Sequence, residues 1–465
     1  MQPIITSLLD TDLYKITMQA AIHKHYPNTA CEFLLTNRTP NKRLNKRAYE
    51  WFHEQLMLLK DLTFTDEEID YLKTKIGYMG ESHFEWMKTV KLHPEDEIHI
   101  DAREDLETGE YDLSITASGN WDVVTLYEIP VLALLSECYF RFMDTKWTIN
   151  SECVATFDET TGELSKEAPQ ESMKIVYDQA YEKAKKLLTA GCVFSEFGTR
   201  RRRSFHVQDS VMAGIMSFVN SPSTSSEISA KFLGTSNVLL AKKYGVNPIG
   251  TIGHEWMMGV GAANSNKGDG RGYQSYITAN RLAMEQYVDT VGPQHAGLAL
   301  TDTYGTDNYL QQFEEPYIGY YIGVRQDSGS PEEYAMKLSK WYRKKGYSGR
   351  DKLICFSDSL NVDKCIRLKK VCDSTECNIN CTFGIGTNLT NDFDSEPMNI
   401  VMKLVSCGGG KAIKISDNVH KNMGDPTTVK EVKKLLGYVE HEWDGGDETH
   451  RWAKHTAKNE IKSAV

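Results

Sequence analysis

A short apolar segment that breaks into polar residues recurs eight times between residues 192 and 418. The segments are CVFSEFGTRRRRS (192–204), FLGTSN (232–237), PIGTIGHEW (248–256), GLALTDTYGT (297–306), YIGVRQDSG (321–329), LICFSDSLN (353–361), CTFGIGTNLTND (381–392) and AIKISDN (412–418). Most of the intervals can hold a helix, and strands alternating with helices predict parallel βα units. In a parallel α/β barrel the carboxyl ends of the strands face one opening, where active sites lie. The pattern therefore predicts an α/β barrel, with a doubly wound open sheet as the alternative.

Composition sets the class of protein around this repeat. The chain has 465 residues, 40% of them hydrophobic and 25% charged, and a formal net charge of −11. The length suggests two or three domains, and the acidic balance argues against general affinity for nucleic acid or for an anionic membrane. Any basic site must therefore be local. We find no basic N-terminal leader and no window that approaches a membrane span, so we expect the cytosol, with the nucleus as an additional location.

The whole chain divides into four parts, one of which contains the repeat. Residues 1–145, which include a helical pattern over 12–24, read as a mixed α+β region. Residues 146–171 are polar and weakly periodic, which predicts a surface insertion. Residues 172–419 are the predicted barrel, interrupted by a mobile Gly/Asn-rich loop at 261–274. Residues 420–465 are expected to pack at the periphery.

The ten cysteines are scattered along the chain. The densest group, Cys372, Cys377 and Cys381, lacks the paired C-x-x-C spacing of a zinc site. We therefore predict reduced, structural thiols, and no protein-held metal site.

Four consecutive arginines, Arg200 to Arg203, stand at a strand-to-helix turn. Guanidinium groups near a helix N-terminus add to the positive end of its dipole, which is unfavourable unless anions are close. Phosphate, pyrophosphate or carboxylate ligands would supply those anions. The alternative is a solvated basic run or a nuclear signal. Because four adjacent side chains cannot all point one way, we expect one or two to reach a ligand.

Two further strand ends have the features of an anion site. In TFGIGTN, Gly384 and Gly386 allow close backbone approach and Thr387 adds a donor, so the turn predicts a phosphate cradle or, equally, a tight structural turn. In RQDSG, Arg325 and Asp327 lie on the same side of an extended strand end, which suits a ribose phosphate or a plain ion pair.

Asp302 and Asp358 end two more of the apolar segments. Strand-end acids could orient a histidine, neutralise cations or cap the next helix. His254 ends an apolar run among these groups. A neutral imidazole there could act as an acid–base group or as a nucleophile toward phosphorus, and a structural histidine is the equally open alternative.

Taken together, these motifs resemble the nicotinate phosphoribosyltransferase family. The resemblance extends from about residue 6 to 455 and is carried by SLLDTDLYKITM, EFGTRRRRS, LGTSNVLLAKKYGVNPIGTIGHEWMMG, LTDTYGTD, VRQDSG, SDSLN, FGIGTNLTND and AIKISDN. It implies an irregular α/β barrel with a smaller domain built from N- and C-terminal segments. It also implies transfer of phosphoribose from phosphoribosyl pyrophosphate to nicotinate, coupled to ATP hydrolysis through a phosphohistidine and requiring Mg²⁺.

The resemblance implies roles for individual residues. His254 is the phosphorylated histidine and Asp302 the acid that hydrogen-bonds to it. Tyr14, from a neighbouring subunit of a homodimer with shared active sites, and Phe197 sandwich the pyridine ring, and Arg200 lies near the nicotinate carboxylate. The remaining substrate-binding residues implied or predicted are Thr235, Ser236, Arg325, Asp327, Ser357, Asp358, Gly384, Gly386, Thr387, Lys403 and Lys414.

Three rival functions stay open at this point. A nicotinamide-specific enzyme would need a side chain for a neutral carboxamide, whereas this chain supplies arginines suited to a carboxylate. A barrel isomerase or metal-dependent hydrolase would need a compact His/Asp/Glu ligand set, and the strand ends offer one histidine, His254. A non-catalytic binder that uses the arginine run is disfavoured by the net charge of −11.

Overall fold

Seven of the eight apolar segments form strands of one parallel sheet in the computed structural model, which describes residues 2–165, 172–266 and 272–443. The strands are β1 (Ala30–Asn37), β2 (Leu44–Asn45), β3 (Ile98–Glu104), β4 (Glu110–Asn120), β5 (Lys146–Ile149), β6 (Glu152–Thr156), β7 (Phe194–Glu196), β8 (Phe232–Thr235), β9 (Asn247–Pro248), β10 (Leu298–Leu300), β11 (Gly323–Gln326), β12 (Leu353–Phe356), β13 (Asn380–Ile385), β14 (Ile400–Cys407) and β15 (Gly410–Lys411). The parallel sheet runs in the order β10-β11-β12-β13-β7-β8-β9 and curls into a half-barrel. The predicted α/β barrel class is confirmed.

Helices fill the intervals between the strands and build the N-terminal region. They are α1 (Leu13–His25), α2 (Lys46–Met57), α3 (Asp66–Ile76), α4 (Glu81–Met87), α5 (Pro94–Glu97), α6 (Trp121–Val124), α7 (Glu128–Phe142), α8 (Ser172–Thr189), α9 (Phe205–Val219), α10 (Ser226–Ser229), α11 (Val238–Tyr244), α12 (His254–Ser265), α13 (Gln274–Val291), α14 (Thr306–Gln312), α15 (Tyr317–Tyr320), α16 (Pro331–Lys344), α17 (Val362–Asp373), α18 (Thr387–Thr390) and α19 (Pro426–Leu436). Single 3₁₀ turns occur at Leu58–Asp61, Gly77–Met79, Thr125–Tyr127, Thr199–Arg201, Pro293–His295 and Val419–Lys421.

Several polar residues that follow the strands cap the next helix. Ser204, Asn237, Ser330 and Asn361 each accept a hydrogen bond from a backbone N–H in the first turn of α9, α11, α16 and α17. A side-chain oxygen at this position satisfies a donor that the helix leaves unpaired. Part of the polar pattern at the strand ends is therefore helix capping, whereas neither Asp302 nor Asp358 occupies a cap position.

A second, antiparallel sheet joins the two ends of the chain. Its order is β15-β14-β1-β4-β2, with β3 paired to β4. In β14, Ile400, Met402 and Leu404 alternate with less buried residues, so one face of the strand packs on the core. The prediction that 172–419 is a single barrel unit is therefore wrong for 400–411, which pair with N-terminal strands. The eighth segment, 412–418, forms no strand of the parallel sheet and makes one bridge, from Lys414 to Met423.

Two segments predicted to be irregular are ordered parts of the fold where the structure describes them. Residues 146–156 form the β5–β6 hairpin, and Trp147 and Val154 are fully buried in the core beside α8 and α9. The predicted surface insertion is therefore wrong for this part, because its few apolar residues are the buried ones. Likewise, α12 continues through Ser265, so 261–265 is helix rather than mobile loop. Residues 166–171 and 267–271 lie outside the described residues.

The stretch Trp121–Phe142 is long and apolar enough to cross a membrane, with a mean hydropathy of 1.5. The prediction that no window approaches a span is wrong by this criterion. This stretch lies in the core of the protein, however, since 89% of its most apolar 18-residue window is buried. The cysteines are also largely interior: all ten are unpaired thiols, nine are buried and Cys153 is exposed. This burial fits the structural role predicted for them.

Candidate active site

The carboxyl ends of β7, β11, β12 and β13 open onto a cavity of about 610 Å³. Fourteen of the sixteen predicted site residues line it: Tyr14, Phe197, Arg200, Ser236, His254, Arg325, Asp327, Ser357, Asp358, Gly384, Gly386, Thr387, Lys403 and Lys414. The other two, Thr235 and Asp302, are buried behind its wall. Thr235 donates to the carboxylate of Glu196 at 2.6 Å, so its role is to hold β7 and β8 together rather than to bind substrate.

His254 is the first residue of α12 and not the end of a strand. The preceding strand, β9, is only two residues long, and an extended link of five residues joins it to the helix. Gly253 is needed in this link, because a Cβ atom there would lie 2.8 Å from the Tyr14 ring. The predicted strand-end position is therefore wrong, although the imidazole does reach the carboxyl edge of the sheet.

Both ring nitrogens of His254 have close partners. Nδ1 lies 2.9 Å from Thr303 Oγ1, and Nε2 lies 2.9 Å from Lys414 Nζ and 3.0 Å from Asp327 Oδ2. Lysine can only donate, so in the tautomer that accepts from Lys414 the proton is on Nδ1 and donates to Thr303. In that tautomer the electron pair of Nε2 is held by the Lys414 hydrogen bond, and it becomes free for attack only when Lys414 turns to another partner.

The acid closest to His254 is not the predicted one. Asp302 Oδ1 is 3.5 Å from Nε2, whereas Asp327 Oδ2 is at 3.0 Å. Asp302 instead accepts a 2.6 Å hydrogen bond from Ser328 through its other oxygen. The expectation that Asp302 is the hydrogen-bonding acid is therefore wrong in this structure: Asp302 contributes a buried negative charge behind the ring, and Thr303, its neighbour, contacts the ring directly.

Burial is the largest influence on the ionisation of His254. With the ammonium of Lys414 it outweighs the attraction of Asp302 and lowers the pKa of His254 to about 4. Burial opposes ionisation of Asp327 as well, but the guanidinium of Arg325 holds the pKa of this carboxyl well below its usual range. The site at neutral pH therefore combines a neutral imidazole with ionised carboxylates and cations.

Glu255 faces a different environment from its neighbour. Its carboxylate accepts from Trp121 Nε1 at 2.8 Å and from Thr125 Oγ1 at 2.7 Å, and it is paired with the fully buried Lys15. The Glu255 carboxylate therefore belongs to a buried cluster separate from that of His254, because successive side chains of a helix are rotated by about 100°.

Arg325, Asp327 and Ser357 form one interlocked group at the ends of β11 and β12. Arg325 donates to Asp327 Oδ1 at 2.7 Å, to Ser357 Oγ at 2.8 Å and to Thr251 Oγ1 at 3.0 Å. The plain ion pair is thus present, and it lies on the cavity wall. The Arg325–Asp327 pair is therefore already oriented before a hydroxyl-rich or anionic ligand binds.

The arginine run divides into two halves. Arg200 and Arg201 line the cavity, whereas Arg202 and Arg203 are fully buried. Arg202 makes two 2.7 Å hydrogen bonds to Asp10, and Arg203 stacks on Phe140, with its guanidinium carbon 3.6 Å from the ring centroid. The expectation that one or two arginines reach the ligand site agrees with this division.

The aromatic end of the cavity comes from a single chain. Tyr14 on α1 accepts a hydrogen bond from Arg200, whose guanidinium lies 5.2 Å from the Tyr14 ring centroid. Phe197 lines the same cavity. The expectation that a neighbouring subunit supplies Tyr14 is therefore wrong for this cavity, because the N-terminal segment of the same chain crosses it. The homodimer itself stays a prediction.

The GIGT turn serves packing as well as the cavity. A Cβ atom on Gly384 would lie 2.3 Å from the Phe197 ring, so only glycine lets this ring sit against β13. Gly386 and Thr387 begin the short helix α18 beside it. Both interpretations of the turn therefore apply: Gly384 makes room for Phe197, and the backbone of Gly386 and Thr387 borders the cavity.

The C-terminal segment contributes to the site. Lys421 donates to Asp358 Oδ1 at 2.5 Å and to the Asp327 carbonyl at 2.9 Å, and His420, Met423 and Trp443 also line the cavity. Burial raises the pKa of Asp358 despite Lys421. The expectation that 420–465 is peripheral is therefore wrong for residues 420, 421, 423 and 443; residues 444–465 lie outside the described part.

Three ligand-type atoms of His254, Asp302 and Asp327 lie within 4.8 Å of one another, which is close enough to hold a cation. Lys414 already places an ammonium there, 3.6 Å from Asp302 and 3.9 Å from Asp327. A second positive charge would be repelled at this distance. The arrangement fits a phosphoryl group, which Lys414 would attract, better than a metal ion held by the protein alone.

Sequence reasoning missed several lining residues. Asp12 accepts from Ser236 at 2.7 Å and pairs with Arg200, and Glu128 lies between cations of the same wall. Asp12 stands in a motif that was recognised, two residues before Tyr14. Glu128 had a visible signal, a single acid opening the apolar run EIPVLALL. Thr303, which contacts His254, had no signal of its own, because several polar residues follow the same strand.

Comparison with known proteins identifies the family. The nicotinate phosphoribosyltransferase (NAPRTase) family profile matches residues 192–440, and the profile of its N-terminal domain matches residues 9–136. These two ranges contain most of the half-barrel and the α1 segment that carries Tyr14.

Relatives are similar over almost their whole length. The nicotinate phosphoribosyltransferase of Saccharomyces cerevisiae is 45% identical over 97% of this chain and 99% of its own, and that of Methanosarcina mazei is 35% identical over 93% and 98%. Crystal structures titled nicotinate phosphoribosyltransferase are also similar: one from S. cerevisiae has a TM-score of 0.84 at 44% identity, covering 94% of this chain and 100% of that one. One from Porphyromonas gingivalis has a TM-score of 0.78 at 30% identity, covering 93% and 100%.

The fold and the cavity thus define a phosphoribosyltransferase. More specifically, the chain belongs to the nicotinate phosphoribosyltransferase family of enzymes.

Proposed function

We propose that the cavity transfers phosphoribose from phosphoribosyl pyrophosphate to nicotinate, releasing pyrophosphate, and that ATP hydrolysis is coupled to this step through a phosphohistidine on His254. The product, nicotinate mononucleotide, serves NAD salvage. The observation that carries the proposal is the composition of one cavity wall: an aromatic end with Arg200, and a cationic region around a neutral histidine.

The aromatic end suits the pyridine ring. Tyr14 and Phe197 supply ring surfaces, and the half-buried Arg200 supplies a planar guanidinium for the nicotinate carboxylate. Two parallel N–H donors match the two oxygens of a carboxylate. The neutral amide of nicotinamide would leave that charge without an anion, which favours nicotinate over the rival substrate.

Anion clamps and positioning would supply most of the acceleration. Displacement of pyrophosphate develops positive charge at the anomeric carbon and negative charge on the leaving group. Arg325, Lys403, Lys414 and Lys421 line the cavity where this group would sit. Preoriented cations in a site screened from water stabilise such charge without reorganisation.

The phosphorylation step uses the electron pair of His254 Nε2. Nε2 would attack the terminal phosphorus of ATP, the bond from that phosphorus to the bridging oxygen would break, and ADP would leave. Lys414, at 2.9 Å, would then pair with the phosphoryl oxygens. Water would later cleave the N–P bond, releasing inorganic phosphate and returning the neutral imidazole. Mg²⁺ is proposed to enter on the substrate phosphates, where it neutralises their charge.

Radiolabelled ATP provides the test. Incubation with the γ-labelled nucleotide should place acid-labile, base-stable label on a peptide that contains His254, and nicotinate should stimulate release of pyrophosphate. His254→Ala should lose the label and the ATP stimulation while it retains transfer in the absence of ATP. Full ATP stimulation in His254→Ala would contradict the coupling. Competition between nicotinate and nicotinamide separates the two candidate acceptors, since only nicotinate should compete at micromolar to millimolar concentrations.

The pH dependence of labelling is a second check. Because the pKa of His254 is lowered to about 4, the imidazole is already neutral at pH 6, and the initial labelling rate should change little between pH 6 and 8. A rate that instead halves near the ordinary histidine pKa of about 6.5 would show that His254 is more solvated than this geometry implies. Homodimerisation and residence in the cytosol or nucleus also remain proposals, testable by sedimentation and by imaging.

A further inference from the structure

Glu128 is one of several acids in a cavity wall that also carries arginines and lysines, and it lies among three cations. It is the first residue of α7, 3% exposed, and three cations surround its carboxylate. Lys15 Nζ is 2.6 Å from it, Lys403 Nζ is 3.4 Å and Arg200 Nη1 is 3.6 Å away. A negative charge beside an anion site opposes ligand binding unless it has another purpose.

The two oxygens of Glu128 have different partners. Oε2 is held tightly by Lys15, which is itself fixed by Glu255 and by Thr125 at 3.2 Å. Oε1 faces Lys403 and Arg200 at distances longer than a good hydrogen bond. One side of the carboxylate is thus anchored in the core, and the other makes only long contacts to the two cavity cations.

Lys403 depends on this acid for its charge. Burial is the largest influence on its pKa, and Arg200, Lys414 and Lys15 also favour the neutral amine; Glu128 opposes them, and the pKa of Lys403 is lowered to about 8. The only hydrogen bond and the only ion pair that Lys403 makes to described side chains are both to Glu128. Without Glu128, a buried amine among three cations would lose its proton more readily.

We propose that Glu128, anchored by Lys15, is a positioning residue that keeps Lys403 protonated and directed into the cavity for a phosphate or carboxylate anion. The inference rests on the anionic substrates of the proposed function. It explains why an acid lies inside an anion site. The buried Glu128 carboxylate, which a ligand does not displace, keeps a positive charge on Lys403, which a ligand can reach.

Direct titration of Lys403 tests the inference without any substrate. Competitive acetylation with acetic anhydride across pH 6–10, followed by mass spectrometry of the Lys403 peptide, should give a midpoint near 8 in the unmodified protein. In Glu128→Gln the midpoint should fall by about one pH unit or more, the usual effect of losing an opposite charge at this distance. An unchanged midpoint would overturn the inference.

Binding of inorganic pyrophosphate gives an independent readout that a folding defect would not reproduce. At pH 6, where Lys403 is protonated in both proteins, Glu128→Gln should bind pyrophosphate at least as tightly, because a repulsive charge is gone. At pH 8.5 it should bind more weakly than the unmodified protein. Weakening by the same factor at both pH values would contradict the proposed role.

A double variant completes the design. Arginine does not lose its proton in proteins, so Glu128→Gln/Lys403→Arg should restore binding at pH 8.5 to that of Lys403→Arg alone. Failure of this rescue would count against Glu128 acting through Lys403. If the unmodified protein binds no pyrophosphate at all, the proposed donor site is wrong, while the acetylation result still decides the link between the two residues.

Discussion

Arg200 and Arg202 are two residues apart in one run, yet they belong to different parts of the molecule. Arg200 is about one-third exposed, lines the cavity and touches Tyr14. Arg202 is fully buried and closes a two-point hydrogen bond with Asp10, which is itself 1% exposed in its side chain. Both guanidinium groups have acids nearby, so charge pairing does not separate a binding arginine from a structural one. What separates them is whether the acid fills the fork of the guanidinium or leaves it open to a ligand.

The largest effect is expected from Arg202→Met. Removing the guanidinium leaves Asp10 buried without its cation, which should lower the free energy of unfolding by about 3–5 kcal/mol. Urea denaturation followed by fluorescence would measure the loss. Adding Asp10→Leu should recover much of it, since an apolar pair replaces the ion pair; no recovery would show that the unpaired Asp10 carboxylate is not the cause of the loss.

Arg200→Met should affect the substrate instead. Loss of a charged donor to the nicotinate carboxylate should raise the KM for nicotinate about ten- to hundred-fold, with the urea midpoint almost unchanged. Arg200→Lys is the matched control, because it keeps the charge without the planar fork. Its KM for nicotinate should lie between those of the unmodified protein and Arg200→Met. Equal loss of stability in Arg200→Met and Arg202→Met would remove the distinction between the two halves of the run.

Arg203→Met should have a smaller effect than its neighbour. Its acid partner, Asp144, is 3.6 Å away and 23% exposed, so water can solvate the carboxylate when the arginine is gone. The remaining loss is the stacking on Phe140 and Phe393, about 1–2 kcal/mol, together with the 3.1 Å hydrogen bonds to Ser395. The same denaturation experiment measures it, and the KM for nicotinate should not change.

Arg201→Met is expected to show the smallest effect. Arg201 lines the cavity, and its contact with Asn399 is long, at 3.4 Å. The KM for phosphoribosyl pyrophosphate should rise about two- to five-fold, the usual range for a solvated charge contact. A larger rise in this KM than in Arg200→Met would place the donor phosphates nearer Arg201 than we infer.

The repeating βα pattern was sufficient to predict the parallel sheet, because buried strands and their polar ends are local in sequence. Seven strands formed where the apolar segments stood. The error at β14 has a physical cause: an alternating strand that returns to the N-terminal sheet looks, on its own, like one more apolar run. The hairpin at 146–156 was missed for a related reason, since its core residues are few: Trp147, Ile149, Val154 and Ala155.

Which residues line the site could be predicted from the sequence, but how they contact one another could not. Motif positions placed His254, Arg325 and Lys414 in one cavity, but which acid contacts the imidazole depends on tertiary distances. Asp327 rather than Asp302 lies closest to Nε2. Lys403 and Glu128 come from distant parts of the chain, so their pairing could not be inferred from the sequence.

The stretch from Asp10 to Lys15 has a consequence for how this chain can vary. Asp10 is held by Arg202, Asp12 by Ser236, and Lys15 by Glu128 and Glu255, while Tyr14 borders the cavity. Within six positions, side chains alternate between the interior and the ligand space, and α1 begins among them. Inserting or deleting one residue would rotate the following helical positions by about 100° and exchange these assignments. Homologous chains can therefore change residues here more easily than they can change the number of residues.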